Sequence, residues 1–352
     1  MPSCVHILKS AGSECTGMLR IALGLARHMA PLGYSTSILF LGPGPLAAEV
    51  TGAGVPCAVV SWDGSRRDLR GAFATWRWLR RQHLDVAHMH HGGLAVRAVC
   101  HAAGAGAVVQ HIHSCILENA GGESISRLRF RAADAVIASS RAAARQLTGC
   151  APEVIYAGID APETMPQAAM ASGPFRMGLL ARLVPLKNIE MAIAATAGLR
   201  ARGIDAELEI AGEGPLRQEL QLLAGKLGVA EAVRFLGWRE DVSSLLASWN
   251  VLLLTSTTES FPVSVLEAMA AARPVVAARV GGVPEQIEDG RSGVLVRPGD
   301  APGMTAALAE LATHPEQAAA MGEAGWRRAR ECFSFDAMAL RTAKLYAQCL
   351  SR

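Results

Sequence analysis

Two carboxylates and two cations stand at spacings that suit a charged, polyhydroxylated ligand. Glu259 and Glu267 enclose Ser260-Phe261-Pro262-Val263-Ser264-Val265-Leu266, directly after an apolar stretch over 251–255 that reads as a buried strand. Pro262 suits the first position of a helix running through Met269, where its missing N–H costs no hydrogen bond. The first-turn amides are then free to bind an anion, and both glutamates can accept hydrogen bonds from hydroxyls. The alternative is a pair of surface carboxylates that merely favour a helix N-terminus. Arg182 and Lys187 flank Leu183-Val184-Pro185-Leu186 between a strand and a helix. A planar guanidinium and a compact ammonium there can grip a diphosphate and stabilise charge growing on it as it departs. Two solvated loop cations are the alternative.

Glycines mark further strand ends: Gly212 and Gly214, Gly237 before Trp238, and Gly281-Gly282 before Val283-Pro284-Glu285. Each permits positive φ or a close backbone approach, and their recurrence on one sheet edge says more than any single loop. Near the start, Ala11-Gly12-Ser13-Glu14 follows the first strand, so Gly12 can admit a phosphate or sugar. Histidines gather after strands too: His88, His90, His91, His111 and His113. Their number suits a metal site, but no carboxylate or cysteine completes a set, and no metal is expected. His113 reads as a sugar contact and the others as structural.

These residues need strands that end together. Short apolar runs at 5–8, 35–41, 55–60, 85–88, 108–111 and 135–138 alternate with helical stretches such as 17–29 and 69–82. The alternation restarts at 175–180 and continues through 207–211, 233–236, 251–255, 274–277 and 293–296. Such a pattern predicts parallel sheets covered on both faces. Between the two sets, 159–174 carries prolines and little periodicity and reads as a linker. The expected fold is α/β, with two doubly wound Rossmann-like domains over 1–165 and 166–335 and a last helix over 336–352. Such sheets bind ligands beyond the carboxyl ends of their strands, here in a cleft between the domains.

The 352 residues suffice for two cores. Apolar residues make up 51% and the formal net charge is +3, which argues against a disordered chain and against a nucleic-acid binder. The eight cysteines show no CxxC spacing, so reduced, mostly buried thiols are expected. The opening Met-Pro-Ser-Cys-Val-His-Ile-Leu-Lys holds too few apolar residues for a signal peptide. No apolar run approaches the ~18 residues that cross a bilayer. The expectation is a cytoplasmic protein, with contact at the inner membrane face left open.

Taken in order, these motifs resemble the retaining glycosyltransferases of family 4, of GT-B fold, over nearly the whole chain. The Glu259-x7-Glu267 pattern is the most specific piece. Its companions are the early glycine loop, Asp85-Val-Ala-His-Met-His90, Ala133-Asp-Ala-Val-Ile-Ala-Ser-Ser140, Val154-Ile-Tyr-Ala-Gly158-Ile-Asp160, Arg182…Lys187 and Gly281-Gly-Val-Pro-Glu-Gln-Ile287. The resemblance implies an acceptor-side first domain, a second domain that binds a UDP- or GDP-sugar, and a last helix crossing back. It implies Arg182 and Lys187 on the diphosphate, Glu267 on the ribose, and Glu259 on the donor sugar together with the amides of Ser260, Phe261 and Val263. It further implies the Gly237 loop on the base, Gly212 and Gly12 along the donor, and His113 near the sugar. The implied reaction retains configuration by front-face attack, needs no metal, and builds a glycan or lipid-linked oligosaccharide for polysaccharide biosynthesis. The departures are Pro262 where glycine is common, Ala157 for asparagine, and Ala11 for the first of two glycines. A nucleotide-sugar epimerase of the same fold and a non-catalytic binding partner are the alternatives.

The stretch 65–82 is basic and aromatic. Leu69, Phe73 and Trp76 can share one helical face, with Arg66, Arg70, Arg77 and Arg81 on another. Such a helix can dock on anionic lipid; the alternative is a helix packing on the sheet with its arginines in water. Arg127, Arg129 and Arg131 form a second basic cluster with the same ambiguity.

Overall fold

The computed structural model describes residues 1–12, 15–114, 133–147, 149–166 and 173–351. The chain divides into two compact units, Met1–Gly158 with Phe335–Arg352, and Ile159–Ser334.

In the first unit the elements run β1 (Ser3–Leu8), α1 (Thr16–Met29), β2 (Ser35–Phe40), α2 (Leu46–Gly52), β3 (Cys57–Val59), α3 (Leu69–Arg81), β4 (Val86–Met89), α4 (Leu94–Ala102), β5 (Ala107–Ile112), β6 (Ala135–Ala138), α5 (Arg141–Arg145) and β7 (Glu153–Val154). They build a parallel sheet of order β3-β2-β1-β4-β5-β6-β7. Strands β1 and β4 are buried almost throughout, as strands covered on both faces must be. Asp68 caps α3 by accepting from the Gly71 amide at 2.9 Å.

The second unit runs β8 (Phe175–Leu180), α6 (Ile189–Ala201), β9 (Ala206–Ala211), α7 (Arg217–Lys226), β10 (Val233–Gly237), α8 (Val242–Ser248), β11 (Val251–Leu254), α9 (Val263–Ala270), β12 (Val275–Ala278), α10 (Val283–Gln286), β13 (Val294–Val296), α11 (Ala301–Thr313) and α12 (Pro315–Cys332). Its parallel sheet has the order β10-β9-β8-β11-β12-β13. The all-aliphatic β11, Val-Leu-Leu-Leu, is wholly buried and pairs with β8 and β12. Ile193, Leu199, Leu208, Leu253 and Leu308 belong to one core.

The final helix α13 (Phe335–Leu350) returns to the first unit. A side chain at Gly24 of α1 would meet the Phe335 ring at 2.0 Å, so that glycine lets the two helices close. The stretch 159–174 is not wholly a linker. Ile159 bridges to Ser334, and its amide donates to the Phe333 carbonyl at 2.8 Å, so it already belongs to the second unit. Among the described residues no helix is long and apolar enough to cross a membrane, and the seven cysteines among them are free thiols.

Candidate functional site

In the second sheet the strand order runs one way from β8 through β9 to β10 and the other way from β11 through β12 to β13. At such a switch point the loops leaving the two central strands diverge and open a crevice beyond their carboxyl ends. The loop after β8 carries Arg182 and Lys187, and the loop after β11 carries Glu259.

Hydrogen bonds from the second loop lace these two loops together. Thr255 Oγ1 donates to the Lys187 carbonyl at 2.7 Å, and the Thr257 amide to the Leu186 carbonyl at 2.9 Å. With its backbone held, Lys187 directs its ammonium onto the Glu259 carboxylate, and Ser256 Oγ donates to the same carboxylate oxygen at 2.7 Å. The two side chains are only 24% and 13% exposed. Water therefore screens the pair less than it would at the surface. Arg182 is exposed, and its guanidinium has no partner among the described residues. Thr255 and Ser256 went unmarked in the sequence reading; a run of hydroxyl residues between a buried strand and an acidic residue was the available signal.

The neighbouring glycine loops pack beneath. Gly212 has φ 145°, and a Cβ there would lie 1.9 Å from the Ala181 carbonyl oxygen, so only glycine lets the loop after β9 pass under the loop after β8. Its amide donates to the Gly237 carbonyl at 2.7 Å, and Gly237 has φ 71°. The Leu183 amide donates to the Glu213 carbonyl at 2.9 Å.

Pro262 does not open the helix as first residue. It precedes it, with φ −64° and ψ 126°, and α9 begins at Val263. An extended residue ahead of the helix leaves the Pro262 carbonyl to accept from Gln286 Nε2 at 3.0 Å. Ser260 and Phe261 are buried, the latter edge-on to Phe333 at 5.3 Å, whereas Val263 and Glu267 are half-buried. Glu267 is the fifth residue of α9.

In the first unit Gly12 is half-buried, its amide accepted by Ser10 Oγ at 3.1 Å. The histidines converge more than their sequence positions suggested. His6, His88, His90, His111 and His113 come from β1, β4 and β5 and their carboxyl ends, with His6 in register with His88. His6 Nδ1 lies 2.8 Å from His90 Nε2, His90 Nδ1 2.8 Å from His113 Nε2, and His88 Nε2 3.1 Å from His111 Nδ1. His88 Nδ1 meets Tyr346 of α13. Burial pulls the His6 and His113 imidazoles down to about 3. Burial, reinforced by neighbouring imidazoles, holds His88, His90 and His111 well below the usual histidine range. His6 was missed from sequence; a lone histidine in a buried strand carries no signal until its register with His88 is known.

Helix α3 packs on the core with its arginines in water. Gly71, Thr75 and Leu79 face the core, while Leu69 and Phe73 are 74% and 58% exposed beside exposed Arg66, Arg70, Arg77 and Arg81. Leu69 and Phe73 take no part in that packing, because Trp62 fills that side against Gly71, whereas Trp76 still packs on the core. Phe73 stacks on half-buried Trp76 at 5.4 Å, and Trp76 Nε1 donates to the Ala102 carbonyl at 3.1 Å. Arg127, Arg129 and Arg131 lie outside the described residues.

Residues 16–162 match the family model described as glycosyltransferase family 4, and residues 160–328 the one described as glycosyl transferases group 1. The chain is 31% identical over 320 residues to D-inositol 3-phosphate glycosyltransferase of Streptomyces scabiei, covering 78% of this chain and 70% of that protein. It is 38% identical over 175 residues to a GDP-mannose-dependent alpha-(1-6)-phosphatidylinositol monomannoside mannosyltransferase of Mycolicibacterium smegmatis, covering 47% of this chain and 46% of that one. The matched stretch thus spans about half the length of several such relatives. In fold the chain is similar to the crystal structure of Anabaena HepE in complex with UDP and glucose, with a TM-score of 0.85 at 19% identity over 99% of this chain and 100% of that one.

Proposed function

The chain belongs to glycosyltransferase family 4 and has the GT-B type of fold, and from that premise we propose that it transfers a hexose or N-acetylhexosamine from a UDP- or GDP-sugar to a glycan or lipid-linked acceptor. The observation that carries this reading is the Lys187–Glu259 pair on adjoining loops at the switch point of the second sheet. It puts a cation and a hydroxyl-accepting carboxylate side by side at the end of the sheet where nucleotides bind in doubly wound folds.

The roles follow from charge. Lys187 and the exposed Arg182 neutralise the diphosphate and the negative charge that grows on it as the glycosidic bond breaks. Glu259, released from Lys187 by the incoming phosphates, accepts hydrogen bonds from the sugar hydroxyls. Glu267 accepts from the ribose, and the amides of Ser260, Phe261 and Val263 surround the sugar. The Gly212 and Gly237 loops give the nucleotide close backbone approach. His113 and Gly12 serve the acceptor-side unit. With two side-chain cations on the diphosphate, a divalent metal is not required there, and retention follows from front-face attack with the leaving phosphate taking the acceptor proton.

A lipid-linked acceptor is favoured by α3. Its outward Leu69 and Phe73, framed by arginines, suit a membrane surface with anionic headgroups. This makes the enzyme peripheral to the inner membrane face.

Calorimetric titration of UDP and GDP, in EDTA, tests the reading. One nucleotide is expected to bind the parent protein and to bind Lys187→Ala at least about tenfold more weakly, which is a difference of about 1.4 kcal/mol. Equal binding of both proteins, or none by the parent, would remove the donor site from these loops. A donor-sugar panel with the nucleotide so identified then separates transfer from epimerisation, since an epimerase releases product with no acceptor present.

A further inference from the structure

We propose that His90, His111 and His113 form a binding site for a divalent transition-metal ion in the first unit, one of the Zn(II), Co(II) or Ni(II) class.

The sheet assembles the set. Side chains two apart on a strand share a face, so His88 and His90 lie on one face, as do His111 and His113. The register pairs Met89 with Gln110, so the next residues, His90 and His111, fall side by side. One ring nitrogen from each of His90, His111 and His113 lies within 4.8 Å of those of the other two.

His90 Nδ1 and His113 Nε2 share a hydrogen bond, which an ion would replace, its proton passing to the donor ring's other nitrogen or to solvent. His90 Nε2 is occupied by His6 Nδ1 at 2.8 Å, which turns His90 Nδ1 toward His113 Nε2. His111 Nδ1 is occupied by His88 Nε2 at 3.1 Å, and His111 Nε2 is buried with no partner among the described residues. A buried imidazole nitrogen without a partner is costly unless something occupies it. Ligating histidines characteristically have the second ring nitrogen held by an outer partner, and here His6 and His88 hold two of the three.

For one pair the geometry is close to what a metal needs. Two nitrogens at about 2.0–2.1 Å from a tetrahedral ion stand about 3.3 Å apart. The 2.8 Å separation of His90 Nδ1 and His113 Nε2 therefore requires an opening of about half an ångström. Three neutral imidazoles with no carboxylate favour zinc, cobalt, nickel or copper over magnesium or calcium, and leave a fourth position open. His6, His88 and His90 form a second group of the same kind, but all three are buried. In the chosen group His113 is the one residue not fully buried.

The test uses metal alone, so its failure would leave the donor-site reading untouched. Chelator-stripped, tag-free full-length protein is titrated with Co(II), following its visible d–d absorption, and with Zn(II) by calorimetry. One saturable equivalent is expected, with a rise in melting temperature. Both His113→Gln and His111→Gln are expected to weaken binding at least about tenfold, while His314→Gln, at an exposed histidine on the second unit, leaves it unchanged. His113, being half-buried, is the substitution the fold tolerates more easily. Absence of saturable binding to the parent protein, or unchanged affinity in a folded His113→Gln, would overturn the site.

Discussion

Lys187 is paired with Glu259, so the carboxylate competes with a diphosphate for the ammonium. This gives Lys187→Met and Glu259→Gln opposite expected effects on nucleotide binding. Losing Lys187 removes a charge-assisted contact to phosphate of about 1.5–3 kcal/mol, roughly ten- to hundredfold in affinity. Replacing Glu259 by glutamine removes a negative charge beside the phosphates and frees the ammonium. A nucleoside diphosphate lacking the sugar is then expected to bind up to about tenfold more tightly, the equivalent of about 1.4 kcal/mol. The sugar-bearing donor should not share that gain, because the amide is a weaker acceptor for its hydroxyls. Stability separates the local pair from the ligand. Truncating one member of an exposed pair costs at most about 1 kcal/mol and of a buried pair about 3–5 kcal/mol. With Glu259 13% exposed but still holding Ser256, Lys187→Met is expected to cost about 2 kcal/mol in urea denaturation. A double-mutant cycle isolates the coupling. Calorimetry of both single variants is decisive. If Glu259→Gln weakens the bare nucleotide as much as Lys187→Met does, Glu259 merely positions the lysine and the assigned competition is wrong.

Gly212→Ala is expected to cost roughly 2–4 kcal/mol, since its Cβ meets the Ala181 carbonyl at 1.9 Å and its φ is positive. Gly225→Ala, in α7 with nothing within 4 Å, should instead stabilise by about 0.5–1 kcal/mol; chemical denaturation reads both. Cys4 and Cys100 are buried thiols pushed up to about 12 from 9.0 by desolvation. Above pH 9 the unfolded chain loses these protons and the folded one keeps them, so stability is intact below pH 9 and falls above it. At pH 10 the loss is about 1.4 kcal/mol for each, and Cys100→Ala should flatten that part of the alkaline slope in a urea series. Phe73→Glu is expected to abolish flotation with anionic vesicles. A parent protein that does not float would remove the lipid surface from the functional reading.

Legibility from sequence tracked how local each determinant is. The strands at 135–138 and 175–180 were bounded to the residue, because a short apolar run between turn-formers needs no knowledge of its neighbours. The two-residue strand at Glu153–Val154 left no periodicity to detect. The start of α9 shifted by one residue because proline fits both the first helical position and the extended residue before it, and the Gln286 contact from a distant helix selects the second. In α3 the hydrophobic periodicity was legible, but not its direction. The seat of Trp62 on Gly71 decides that, and it depends on a residue outside the helix.

The same distinction explains the two clusters of functional side chains. Lys187 and Glu259 were marked separately from their loops, yet their contact depends on β8 and β11 being neighbours, which strand order alone supplies. The histidines were discounted as a metal set because sequence offered no carboxylate or cysteine nearby. Parallel register gathers side chains across strands instead: β1 beside β4, and β4 beside β5, bring five imidazoles together, with neither carboxylate nor cysteine in the groups they form. Both clusters involve carboxyl ends of strands that flank or adjoin a reversal of strand order, β8 and β11 in one sheet and β1 and β4 in the other. In each sheet that is where helices leave to opposite faces and side chains are least obstructed. Topology therefore selects the place, while the residues there, a cation with a carboxylate in one unit and neutral imidazoles in the other, decide which ligand each can hold.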